Sequence, residues 1–173
     1  MPAPPPLILT LQLDEPAFAF FNALRKKHFP ANINYLDAHL TLFHHLPNNS
    51  AIPELLEKVA REQNIMPLEI TAVIKLGRGV AYKIESEVLK QLQEYLKKQW
   101  QPWLTPQDQQ GFRPHITVQN KVAVETARTL YEQLSANFQP FTAAGTGLSL
   151  WEYHGGPWQK VRDYDFRPST PPN

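Results

Sequence analysis

His39-Leu40-Thr41-Leu42 and His115-Ile116-Thr117-Val118 carry one pattern, His-x-Thr and then an aliphatic residue, 76 positions apart in a chain of 173. The spacing is close to half the chain, and the flanks agree with it. Pro67-Leu68 follows His39 by 28 residues, and Pro140-Phe141 follows His115 by 25. Leu7 lies 32 residues before the first histidine, and Val80 lies 35 before the second. Order, spacing and motif therefore all point to internal duplication. Each copy reads as strand, helix, motif strand, helix, strand. The closing strand of the first copy turns by a hairpin into the opening strand of the second.

Working outward, Leu7 to Leu13 alternates apolar and polar residues and reads as a strand. Asp14-Glu15-Pro16 has the chemistry of a helix start, an acidic cap and then proline in the first turn. Ala17, Phe20, Phe21, Leu24 and His28 follow at helical spacing. Tyr35 to Leu46 reads as the first motif strand, and Leu55, Leu56, Val59 and Ala60 stripe the next helix. Leu68 to Lys75 and Val80 to Ile84 form strands around Gly77-Arg78-Gly79. That turn lacks a following Gly-Lys-Ser/Thr, so it is a hairpin and not a phosphate loop. Ser86 is suited to cap a helix that buries Val88, Leu89, Leu92, Tyr95, Leu96 and Trp100. Pro102 to Gly111 reads as loop and Pro114 to Gln119 as the second motif strand. Val124 to Phe138 is the fourth helix. Phe141 to Tyr153 and Trp158 to Phe166 are strands joined at Gly155-Gly156-Pro157.

Residues i and i+2 of a strand share a face. His39 therefore sides with Thr41, and His115 with Thr117. A pseudo-twofold pairing of the copies aims two imidazoles and two hydroxyls into one cleft. Opening a phosphodiester in line needs a base on the attacking oxygen and an acid on the leaving oxygen. Histidine, with an ordinary pKa of about 6.5, can serve as either. Threonine hydroxyls can donate to the non-bridging oxygens. No carboxylate cluster sits beside either motif, so no metal and no cofactor are expected.

His39-Leu40-Thr41-Leu42 and Pro114-His115-Ile116-Thr117-Val118 together resemble the paired signature of the two-histidine (2H) phosphoesterase superfamily. The similarity is greatest to its branch of 2'-5' RNA ligases and cyclic nucleotide phosphodiesterases, and it extends over nearly the whole chain. The resemblance implies a bilobal α+β fold, one domain over residues 1–173, with two antiparallel sheets flanking a central cleft. It implies metal-independent opening of 2',3'-cyclic phosphodiesters, or of 2'-5' linkages, on RNA ends or small nucleotides. His39 and His115 become the acid and base, and Thr41 and Thr117 the phosphate binders.

Further side chains are candidates for substrate contact. His45 is in phase with His39 if the strand stays regular, which brings it to the rim or leaves it at the strand end in solvent, whereas His44 points the other way. Phe43 is placed to stack on a base or to pack in the core. Arg113 precedes the second motif and can steer an anion. Tyr153 and Trp158 flank the last turn, and Lys160 shares a strand face with Arg162. His28, near a helix C-terminus, and His154, at a turn, have sufficient structural explanations.

Composition bounds the rest. Hydrophobic residues make up 42% and charged residues 19%, as in an ordinary globular protein. With no cysteine there is no disulfide framework, thiolate metal site or cysteine nucleophile. A net charge of +1 disfavours a long duplex, whose binders carry a strong basic excess. No stretch is apolar enough to span a membrane, and the N-terminus lacks a positive n-region. The expectation is a cytoplasmic monomer acting on a small nucleotide or RNA end, with residues 1–6 and 167–173 as flexible ends. The rival readings are a binding module of the same fold that holds an RNA terminus without turnover, and an α+β protein with accidental motifs.

Overall fold

The computed structural model describes residues 2–168. The first copy comprises β1 (Leu7–Leu13), α1 (Glu15–His28), β2 (Leu40–Leu46), α2 (Ala51–Glu62) and β3 (Met66–Leu76). The second comprises β4 (Gly79–Glu85), α3 (Glu87–Trp100), the one-turn α4 (Pro106–Gln109), β5 (His115–Gln119), α5 (Val124–Ala136) and β6 (Phe141–Tyr153), and β7 (Trp158–Asp165) closes the chain. The helix starts are built as their residues require. Asp14 accepts from the Ala17 amide and Ser86 from the Leu89 amide, satisfying donors a helix end leaves free.

All strand pairs are antiparallel, and they run in the order β2-β1-β6-β3-β4-β5, with β7 on β6. Exchanging the two copies turns this order into its own reverse, so the duplication is a true pseudo-twofold of the sheet. Each copy lends its closing strand to the other: β6 pairs β1, and β3 pairs β4. The halves are not separate sheets. Met66–Ile70 of β3 pairs Phe141–Gly145 of β6 and makes the hydrogen-bonded path continuous. The path curls so that its two end strands, β2 and β5, come together. Those ends are the two motif strands.

The helices cross over as well. Phe21 of α1 packs edge-on against Tyr82 of β4 at 5.3 Å, and Trp100 of α3 packs edge-on against Phe43 of β2 at 5.2 Å. Arg25 and Lys97 each lie ten residues after the first residue of their helices, and each fastens the segment ahead of a motif strand. Arg25 is buried and donates to Asn34, to the Leu36 carbonyl and, from the other half of the molecule, to the Thr117 carbonyl. Burial lowers its pKa to about 10, partly offset by Asp37, which leaves it charged at neutral pH. Lys97 donates to the carbonyls of Gln109 and Gln110.

Three boundaries differ from the sequence reading. The first motif strand starts at Leu40 rather than Tyr35, because Ala31–Ile33 forms a 3-10 turn and Arg25 holds the following segment in an irregular path. The segment expected as loop after Pro102 contains α4, whose Asp108 is bound to β2. Arg167, expected at the start of a frayed tail, exchanges backbone hydrogen bonds with Gln63 and Ile65. Residues 169–173 lie outside the described residues. Among those described, no helix is long and apolar enough to cross a membrane.

Candidate active site

The two motif histidines are held alike. His39 stands one residue before β2, and its Nδ1 lies 2.8 Å from the carbonyl of Asp37. His115 opens β5, and its Nδ1 lies 2.8 Å from the carbonyl of Arg113. A carbonyl can only accept, so each Nδ1 carries a hydrogen. In the neutral ring Nε2 is then the lone-pair nitrogen, free to take a proton, and in the charged ring it is free to give one. Thr41 and Thr117 are half-buried. They pair across the sheet with Thr10 and Ala81, which the pseudo-twofold relates.

Both motif strands also carry a bulge at the same place. Thr10 and Leu9 oppose Thr41 and Phe43, and Ala81 and Val80 oppose Thr117 and Gln119. Leu42 and Val118 are the extra residues. A bulge reverses the alternation beyond it and bends the strand. This decides between the two readings of Phe43 in favour of the core and overturns the expected phase of His44 and His45. Phe43 is fully buried against Trp100 and touches no ligand space. His44, not His45, shares the cleft with Thr41.

His39 faces a hollow of about 390 Å³ that it shares with Tyr35, Trp151, Trp158 and Lys160. Its ring lies 4.9 Å from that of Trp158, and the Lys160 amine sits 5.0 Å over the Trp151 ring. Burial lowers the His39 pKa to about 4; the bond to the Asp37 carbonyl opposes this, and the charges of Arg25, His115 and His44 reinforce it. These charges place His115 and His44 in the neighbourhood of His39. His115 faces a larger cleft of about 1130 Å³, with Thr41, His44, Lys83 and Arg113. The two hollows divide at the motif strands, with Thr41 lining one and His39 the other.

Of the candidates from the sequence, His39, Trp158 and Lys160 thus gather on one hollow, and His115, Thr41 and Arg113 on the other. Thr117, His45 and Tyr153 line neither. Three residues were missed. Lys83 stands directly across the ladder from His115, a register the alternation of β4 does not encode. His44 was misplaced by the bulge. Asp108 gave no signal, since it sits in a polar stretch 64 positions from the His44 it binds. Its buried carboxylate accepts from the His44 and His45 amides at 2.9 Å and lies 3.0 Å from His44 Nδ1. Burial works to raise this carboxyl, but the bonds from His44 and His45 outweigh it and hold it below the usual range.

The sequence matches the 2'-5' RNA ligase superfamily over residues 13–157. No curated protein sequence matches it. Among solved structures the fold is similar to TT0787 of Thermus thermophilus, with a TM-score of 0.63, 17% identity, and coverage of 95% of this chain and 100% of that one. It is similar also to E. coli LigT complexed with 3'-AMP, with a TM-score of 0.56, 21% identity, and coverage of 95% and 99%. A third similar structure is E. coli LigT complexed with ATP, with a TM-score of 0.55, 20% identity, and coverage of 96% and 99%.

Proposed function

The chain belongs to the 2'-5' RNA ligase superfamily, a family of two-histidine phosphoesterases, and from that premise we propose that it hydrolyses 2',3'-cyclic phosphodiesters on small nucleotides or RNA ends. The observation that carries the proposal is the matched pair of imidazoles. Each has its Nδ1 tied to the carbonyl two residues back, and each stands at the head of one of the two end strands of the sheet, which meet.

The roles follow from the surroundings. His39, with a pKa of about 4, is neutral at physiological pH. It is therefore the base: Nε2 takes a proton from water as the water oxygen bonds to phosphorus. His115 is the acid. Its Nε2–H gives a proton to the ribose oxygen as the P–O bond to that oxygen breaks, leaving a phosphomonoester on the neighbouring ribose oxygen. The Thr41 hydroxyl donates to a non-bridging oxygen, and Arg113 offsets the phosphate charge. A site built this way needs no metal ion for its proton transfers.

The test is an assay on 2',3'-cyclic nucleotides and cyclic-ended oligonucleotides. His39→Ala and His115→Ala should each lower kcat/KM by about 10²–10⁴-fold. The wild-type rate should be bell-shaped in pH, with an acid limb near the His39 pKa of about 4. An acid limb at about 6.5, the ordinary imidazole value, would take the base role from His39. Full activity in a folded His115→Ala variant would leave only a binding function.

A further inference from the structure

The cleft on the His115 side holds more than a cyclic mononucleotide requires. Its volume of about 1130 Å³ exceeds the range of roughly 300–1,000 Å³ typical of sites for a whole drug-sized ligand. Beyond Thr41 and His115, cationic side chains from three elements line it: Lys75 of β3, Lys83 of β4 and Lys90 of α3. Glu85 and Glu87 also line it, and Glu85 pairs with Lys83 at 3.3 Å. Lys75 sits over the Tyr131 ring at 5.4 Å.

His44 is the member of this wall whose placement needs explaining. It is a second imidazole on the cleft, beside His115, and the motif chemistry has no proton for it to move. Its side chain is 44% exposed, while that of Asp108 behind it is 1% exposed. The carboxylate takes the His44 amide and the ring nitrogen Nδ1 together, so ring and backbone are held as one unit. A carboxylate only accepts, so Nδ1 is the donor and Nε2 is the open nitrogen. Nothing else within the protein uses this ring among the described residues.

We propose that the cleft binds a substrate bearing a second phosphate beyond the scissile one, and that His44, positioned by Asp108, is the side chain that recognises it. The inference rests on the phosphodiester reading above and narrows it, from any cyclic nucleotide to one with a further phosphate, as an RNA end has. His44 is a specificity residue here and Asp108 a positioning residue.

The experiment compares affinities for two probes, adenosine 3'-monophosphate and adenosine 3',5'-bisphosphate, by titration calorimetry at fixed salt. The quantity read is the ratio of their dissociation constants. In the wild type the bisphosphate should bind at least about tenfold more tightly, the worth of one hydrogen bond to a charged group. His44→Ala should remove most of that preference, and circular dichroism confirms its fold. Asp108→Asn should reduce the preference without abolishing it. Should Asp108→Asn misfold, His44→Gln, which keeps a neutral donor, should retain an intermediate ratio. A wild type with no preference, or a His44→Ala variant with the preference intact, overturns the proposal and leaves the phosphodiester reading standing. Failure of the wild type to bind either probe overturns both.

Discussion

His39 has a cost that can be measured. Its ordinary pKa of about 6.5 applies in the unfolded chain, and its folded value is about 4. Between these limits the unfolded chain holds a proton that the folded one does not, so stability is full above about pH 6.5 and falls as pH drops toward 4. The whole difference corresponds to about 3 kcal/mol. The residue is only half-buried, and screening by solvent reduces the expected loss to about 1–2 kcal/mol. Denaturant titrations at pH 7 and pH 4.5 should show it, and His39→Gln should remove that share of the pH dependence. An unchanged slope in the variant would mean that solvent reaches the ring freely. The histidines were legible as residues because a repeated His-x-Thr is visible at any distance along the chain. The lowered pKa of His39 was not, since it arises from burial and from the charge of Arg25, which act on His39 only in the folded molecule.

The elements that matter most are the two bulged motif strands. Around the second bulge the chain is crowded: a Cβ placed on Gly79 would lie 1.8 Å from the Gln119 carbonyl oxygen. Gly79→Ala should therefore push β5 away from β4. It should cost at least about 2 kcal/mol, as large effects with a named steric cause do, read as a lower denaturant midpoint. It should also impair turnover, because His115 begins the displaced strand. Normal stability in this variant would show that the bulge relaxes easily. Helix and strand types were readable from periodicity and caps, as at Asp14 and Ser86. The bulges were not. Leu42-Phe43 and Val118-Gln119 hold no glycine or other local mark, and the register that creates each bulge belongs to the partner strand.

Across the whole molecule, the pseudo-twofold makes the site a joint product of both copies. Arg25 reaches Thr117 from the first copy, and Asp108 reaches His44 from the second. Among the described residues there is no group of three His, Asp or Glu side chains placed to hold a metal ion. Turnover of a cyclic nucleotide should accordingly persist in excess chelator; loss of activity there, restored by zinc or manganese, would replace the two-histidine mechanism. The sequence alone determined the duplication, the α+β class, the order of the elements other than α4 and the two His-x-Thr motifs, because these rest on local propensity and on identity repeated along the chain. Tertiary structure decided that the closing strands swap between copies and join the halves into one sheet. It also decided that burial holds His39 neutral, and that His44 rather than Phe43 or His45 reaches the cleft. Those outcomes depend on strand register, burial and charges brought together from distant positions, which exist only once the two halves close on each other.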